Sequence, residues 1–263
     1  MLIDTHCHLD PSYFAEGADA VMTRARAQGV SGFVTIGVGR DLDPARRAVQ
    51  LADACPDVWA TVGVHPHDAA SLDEAGFAEI EALAGHERVV AVGEIGLDYH
   101  YMRSPREEQH TVFRRFIALA RAVKKPIVVH TREAAADTLA ILEEEGAREV
   151  GGIIHCFSED RAFAERALAL GFDLSFSGIV TFKTAVAIKE VAAWVPGDRM
   201  LVETDSPYLA PVPFRGKKCE PAHVVYTARH VAELRGEDFG ELAARTTANA
   251  RRRLGLGSDL RRD

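Results

Sequence analysis

From one end to the other, this 263-residue chain alternates short apolar runs with longer helix-patterned stretches. The runs are residues 2–5, 32–36, 59–64, 89–93, 126–129, 152–154, 172–176 and 200–203. Most are continuous apolar blocks rather than apolar–polar alternations, the pattern of parallel strands buried on both faces. Helical patterns separate them. Residues 18–28 stop before Gly29, 134–145 before Gly146 and 161–170 before Gly171, and glycine ends helices readily. Residues 107–123 set Val112, Phe116, Leu119, Ala120 and Val123 at helical spacing. Parallel strands joined by helical crossovers wind right-handedly. Eight such units predict an α/β fold, a (β/α)8 TIM-type barrel or a distorted version of one. An open doubly wound sheet would carry a Gly-rich phosphate loop after its first strand. Here the first strand runs into His6-Cys7-His8 instead.

The length suits one barrel domain over residues 1–263, and a 47% hydrophobic content supplies a large core. Glycine and proline are spread along the chain and mark no linker. The longest irregular stretch, residues 212–221, follows the last strand, and the charged tail 251–263 is expected to fray. Cys7, Cys55, Cys156 and Cys219 show no C-x-x-C pairing and read as reduced thiols. No apolar run is long enough to span a bilayer, and no basic leader precedes the first strand, so a cytoplasmic location is expected. The net charge of −8 argues against a general nucleic-acid coat protein. It leaves room for an enzyme that grips phosphate locally.

Chemistry-bearing residues recur where the strands end. His6 and His8 close the first run, and residues i and i+2 of a strand share a face. His65 and His67 follow the third, Glu94 and Asp98 the fourth, His130 the fifth, His155 the sixth and Asp205 the eighth. In a barrel the C-terminal strand ends converge on the face that carries the active site. A single histidine there is ordinarily a satisfied polar residue. His6, His8, Glu94, His130, His155 and Asp205 together exceed what one metal needs, and buried carboxylates are costly unless paired or metal-bound. A two-metal centre with Glu94 as the bridge accounts for the number. Asp4 either orients a ligand from behind or bonds a neighbouring backbone group. His86, His100, His110, His223 and His230 lie away from strand ends and read as surface or packing residues. Cys7 and Cys156 should face away from the centre, since neighbours on a strand point oppositely.

Several blocks resemble the TatD family of metal-dependent deoxyribonucleases. Leu2-Ile3-Asp4-Thr5-His6-Cys7-His8-Leu9-Asp10 is similar to its opening signature. Gly93-Glu94-Ile95-Gly96-Leu97-Asp98-Tyr99, Val129-His130-Thr131-Arg132-Glu133-Ala134, His155-Cys156-Phe157-Ser158, Ser177-Gly178-Ile179-Val180-Thr181-Phe182-Lys183 and Glu203-Thr204-Asp205-Ser206-Pro207-Tyr208-Leu209 resemble its later blocks, in order. The resemblance implies a distorted barrel of the amidohydrolase type and divalent-metal-dependent phosphodiester cleavage. It implies that His6, His8, Glu94 and Asp205 hold one metal and Glu94, His130 and His155 the other. Two positions depart from the family pattern. Glu159 stands where glycine is common and Cys219 where asparagine is common, and both bear on substrate contacts at the mouth.

Two cations can neutralise a phosphodiester, and Asp205 is the expected general base toward the attacking water. Arg132, two residues past His130, is the leading phosphate contact. Lys183, Arg215 and Lys217 follow the last two strands, where barrels often bind phosphate, while Lys218 reads as a solvated charge. His65 is a candidate contact to phosphate or nucleophile, and Phe157 a candidate to stack a base or else core. The expected cofactors are two divalent ions; imidazole-rich ligation suits Zn or Mn, and Mg stays open through the resemblance. The expected substrate is a single-stranded DNA end, which a closed barrel mouth admits more easily than a duplex. The competing class is a lactonase, esterase or amidohydrolase acting on a small neutral molecule. Relatives of that kind often bridge their metals with a carboxylated lysine, so Glu94 favours the nuclease. A non-catalytic nucleic-acid-binding module fits the acidic balance poorly.

Overall fold

The computed structural model describes residues 1–257. Eight strands form one sheet in the order of the chain, every neighbouring pair parallel. They are β1 (Leu2–Cys7), β2 (Val30–Gly37), β3 (Val58–Val62), β4 (Val89–Asp98), β5 (Ile127–Arg132), β6 (Gly152–Ile154), β7 (Phe172–Phe176) and β8 (Met200–Val202). Between them run α1 (Ala18–Ala27), α2 (Asp43–Ala54), α3 (Glu74–Ala84), α4 (Arg106–Val123), α5 (Ala135–Glu144), α6 (Arg161–Ala169) and α7 (Val186–Trp194). After β8 come α8 (Val224–Arg235) and α9 (Phe239–Leu254). The result is a TIM-type barrel, as the alternation in the sequence predicts.

The barrel is distorted at one seam. No ladder joins β8 to β1 among the described residues; a single parallel bridge pairs Cys7 with Ser206. Backbone bonds from Asp205 N to His6 O (2.9 Å) and from His8 N to Ser206 O (2.8 Å) complete it. The fully buried Asp4 reinforces the seam. Its carboxylate accepts from Thr204 N at 2.9 Å, from Thr204 Oγ1 at 2.6 Å and from His6 N at 3.3 Å. Of the two sequence readings for Asp4, the backbone-bonding one describes these contacts. Burial raises its carboxyl to about 8 against the opposing hydrogen bonds.

A cluster of Ile3, Val34, Val90, Val128, Ile153 and Leu201, one from each of six strands, packs with Ala250 and Leu254 of α9. Ile3, Val90 and Val128 lie toward the N-terminal ends of their strands, and Thr247 of α9 donates to Met1 O, so α9 packs at the end of the barrel remote from the histidines. The larger cluster joins the outward strand faces to the helices, with Phe113, Phe116 and Ile117 of α4 fully buried.

Several strand bounds differ from the sequence reading, most of all at the ends of β4 and β5. β4 and β5 run on to Asp98 and Arg132 rather than stopping at 93 and 129. Polar residues continue those strands because each is paired across the β4–β5 ladder, Asp98 opposite Arg132. The tail does not fray at 251. α9 continues to Leu254 because Arg253 forks onto Asp173 at 2.8 and 2.9 Å, with Arg199 Nε at 2.6 Å on the same buried carboxylate. The rest of that expectation, residues 258–263, lies outside the described residues.

Candidate metal centre

Local irregularities aim the key side chains. The β1–β2 register breaks between Asp4 and Cys7, and the β4–β5 register breaks between Val92 and Ile95. His6 and Glu94 sit within these breaks. Such bulges redirect a side chain that a regular strand would point elsewhere. Glycine permits the second one. A Cβ on Gly96 (φ 137°) would lie 2.0 Å from His130 O, and one on Gly93 (φ 154°) 2.6 Å from Val128 O. Only glycines let β4 approach β5 this closely on either side of Glu94. Asp205 adopts φ 55°, a left-handed conformation uncommon outside glycine, which turns the chain after β8 back toward β1.

Glu94, 3% exposed, is the hub. Its Oε1 lies 2.8 Å from His155 Nε2, 3.0 Å from His130 Nδ1 and 3.4 Å from His65 Nε2. Its Oε2 lies 3.4 Å from His6 Nε2. Asp205 Oδ1 faces both His6 Nε2 (3.6 Å) and His8 Nε2 (3.5 Å). His6 and His155 stack with ring centroids 3.9 Å apart. The structure thus brings His6, His8, Glu94, His130, His155 and Asp205 together from five separate strand ends.

This donor set fits divalent cations. Among the described residues, both nitrogens of fully buried His6 and Nδ1 of His8 lack a hydrogen-bond partner. Unpartnered buried imidazole nitrogens are costly, and a metal satisfies them. Three groups have ligand atoms within 4.8 Å of one another: His6, His8 and Asp205; His65, Glu94 and His130; and His6, His155 and Glu203. The outer contacts match those of metal-bound histidines, whose second nitrogen is normally held by a carboxylate. His130 Nε2 is 3.1 Å from Asp98 Oδ2, and His155 Nδ1 is 3.2 Å from Glu203 Oε1.

Electrostatics show how tightly the groups are coupled. Burial pushes the Glu94 carboxyl up, but His155, His65 and His130 outweigh it and hold Glu94 well below the usual range. Burial lowers His155, yet Glu94 and Glu203 raise it well above an ordinary histidine. His65 is depressed to about 4 by burial, with Glu94 opposing, so it is neutral at pH 7. His6 is depressed for the same first reason, helped by His155.

The centre lies at the bottom of a cavity of about 670 Å³ opening at the C-terminal strand ends. Arg132 and His65 line it. The other expected substrate contacts do not. Phe157 is 1% exposed and packs on Phe163 and Phe176, so no ring face is free for a base. Lys183 and Arg215 are exposed outside the lining, and the Arg215 guanidinium sits 3.6 Å from the centroid of the Phe182 ring. Both follow the last two strands, but from these loops it is Ile179, Asp205, Tyr208 and Leu209 that line the cavity. Glu159 and Cys219 are also absent from the lining, and Cys219 is fully buried. All four cysteines are free thiols. Cys7 packs behind the site, donating to Val34 O, whereas half-buried Cys156 does reach the cavity. The sequence reading missed Asp98 and Glu203 as the carboxylates that hold His130 and His155. Their signal was present: each ends a strand block that already carries a candidate ligand. It also missed Tyr13, Arg40, Tyr101, Arg103 and Tyr208 in the cavity wall, because exposed loop residues have no periodicity to mark them.

A parallel eight-stranded barrel with a histidine–carboxylate centre at its C-terminal end defines the class of metal-dependent barrel hydrolases. Residues 3–255 match the family described as TatD related DNase, and the chain belongs to that family. A Bacillus subtilis protein named as the uncharacterized metal-dependent hydrolase YabD is 45% identical over 252 residues, 96% of this chain and 98% of its own length. A Citrobacter koseri protein named 3′-5′ ssDNA/RNA exonuclease TatD is 34% identical over 260 residues, 97% of this chain and 99% of its own. The crystal structure of YJJV, a TatD homolog from Escherichia coli, superposes with a TM-score of 0.89 at 27% identity, covering 97% of this chain and 98% of that one. No helix among the described residues is long and apolar enough to cross a membrane.

Proposed function

We propose that this metal-dependent hydrolase cleaves phosphodiester bonds at single-stranded DNA ends with two divalent ions. The observation that carries the reading is Glu94, a nearly buried carboxylate facing His6 through one oxygen and His130 and His155 through the other. His6, His8, Glu94 and Asp205 would hold one ion, and Glu94, His130 and His155 the other. Bound there, such ions would supply charge to offset the phosphate and would lower the pKa of a water enough for attack near pH 7. Asp205, close to His6 and His8 yet 13% exposed toward the cavity, is placed to take the proton of the attacking water. Burial raises its carboxyl, but His8, His6 and His155 bring it below the ordinary aspartate range, so it starts as the carboxylate a base must be. His65, neutral at pH 7, is placed to donate a hydrogen bond to a phosphate oxygen without adding charge. The name of the Citrobacter koseri relative supports a nucleic-acid substrate and extends the choice to RNA.

The test is a parallel assay of chelated and Mg-, Mn- or Zn-reloaded protein on single-stranded DNA, duplex DNA, RNA, lactones and amides. The expected result is loss of hydrolysis on chelation, recovery on reloading, and progressive release of nucleotides from single-stranded DNA. Hydrolysis of lactones or amides with no phosphodiester cleaved under any metal contradicts it.

A further inference from the structure

Arg103, Arg132 and Tyr101 form one wall of the cavity mouth. The Arg132 Cζ lies 4.8 Å and the Arg103 Cζ 5.4 Å from the centroid of the Tyr101 ring. Stacking on an aromatic ring fixes a guanidinium while leaving its N–H edge free to fork onto a planar anion. Among the described residues, no carboxylate lies within 4 Å of either guanidinium or of Arg40, which also lines the cavity. Many arginines elsewhere are paired, as in Arg26–Asp57 (2.8 Å) and Arg121–Glu149 (2.6 Å); among the described residues Arg106, Arg215 and Arg229 are not, but none of these lines the cavity. In a chain of net charge −8, unpaired arginines converging on one cavity are a site for a mobile anion. Of the lining carboxyls, Asp98 is taken up by His130, His67 and Tyr101 N, and Asp68 is raised by half-burial, with His67, Arg40 and Arg103 pulling it down.

The position of this wall decides which anion. β4 and β5 pair Gly96 with His130 and Asp98 with Arg132. Arg132 is therefore two residues beyond His130 on the same face of β5, roughly 6.6 Å further toward solvent. A scissile phosphate must reach the buried ligands around Glu94. Arg132 and Arg103 are exposed in the cavity lining, and the step of roughly 6.6 Å from His130 to Arg132 is about one phosphate repeat of an extended strand. Asp98 ties the two levels together: one oxygen holds His130 Nε2, and the other accepts from Tyr101 N at 2.8 Å.

Resting on the phosphodiesterase reading above, we infer that Arg103 and Arg132, stacked on Tyr101, bind the non-scissile phosphate adjacent to the one being cleaved. The substrate class is then an oligonucleotide carrying at least one phosphate beyond the scissile bond. A phosphodiester isolated between two neutral groups leaves the subsite unfilled.

The test uses metal-reloaded protein and three forms of a thymidine dinucleotide: both ends free, 5′-phosphorylated, and 3′-phosphorylated. With one of the two phosphorylated forms, wild type should show a kcat/KM roughly tenfold above the free form, equivalent to about 1.4 kcal/mol, with the gain chiefly in KM. In the Arg103→Ala/Arg132→Ala double variant that ratio should collapse toward one. Both side chains are exposed, and circular dichroism checks that the variant is folded. An equal fall on all three substrates places the arginines at the scissile phosphate and overturns the inference. So does a wild type that cleaves all three alike, which leaves the phosphodiesterase reading standing. A wild type that cleaves no phosphodiester removes both.

Discussion

Asp98 Oδ2 lies 3.1 Å from His130 Nε2, the nitrogen on the far side of the ring from Glu94. Asp98 is 1% exposed and also faces His67 Nε2 at 3.1 Å. Burial raises its carboxyl, but His130, His67 and the Tyr101 N–H reverse this and hold it charged well below the usual range. A fixed negative charge there orients the His130 ring and makes Nδ1 a better donor toward a cation.

Asp98→Asn removes that charge and keeps the shape. Metal affinity at the His130 site should fall by roughly 10–100-fold, as for other outer partners of ligand histidines. Titration against a competing chelator measures it. Unchanged affinity for both ions would show that Asp98 does not tune the centre.

Metal binding should release protons. Burial lowers His155, but Glu94 and Glu203 keep it protonated well above the ordinary histidine range when no cation is present. A ligand imidazole must be neutral, so a cation has to displace that proton. Apparent affinity therefore falls as pH falls, because protons compete for the ligands. Calorimetry of Zn binding at pH 7 in two buffers of different ionisation enthalpy should report net proton release. Identical heats in both buffers would contradict this.

At the other end of the barrel, Asp173 accepts from Arg199 and Arg253 while fully buried. Removing one partner of a buried ion pair leaves the others uncompensated, at a cost of about 3 kcal/mol. Asp173→Ala should lower Tm by roughly 6–12 °C for a chain of this size. Metal content per folded molecule should not change, since the cluster is remote from the histidines. Thermal unfolding with metal analysis reads both, and an unaltered Tm would mean α9 does not latch the barrel through this carboxylate.

What the sequence disclosed follows from which physical signals are local. The strand runs and glycine stops disclosed the barrel, because burial on both faces leaves continuous apolar blocks. His6, His8, Glu94, His130, His155 and Asp205 were legible because each follows such a block, and a barrel gathers strand ends. The extension of β4 to Asp98 was hidden, since Glu94 and Asp98 interrupt the apolar run and are tolerated only through partners on other strands. The continuation of α9 to Leu254 was hidden for the same reason: Arg252 and Arg253 look solvated until Asp173, far away in sequence, is seen beneath them. Phe157 follows His155 by two residues, but its ring packs inward onto Phe163 and Phe176, a contact with distant residues that its position in the sequence does not mark.

The most direct measurement of the two-metal account compares wild type, Glu94→Gln and His130→Ala for bound metal, circular dichroism and single-stranded DNA hydrolysis on the same samples. Glu94 faces both groups of ligands, whereas His130 faces one. Losing its charge should loosen both ions, and losing His130 only one. The account predicts a folded Glu94→Gln protein with fewer than two ions per chain and kcat lowered by orders of magnitude, and a His130→Ala protein that retains about one ion. A folded Glu94→Gln protein that binds two ions and cleaves DNA at the wild-type rate would contradict it.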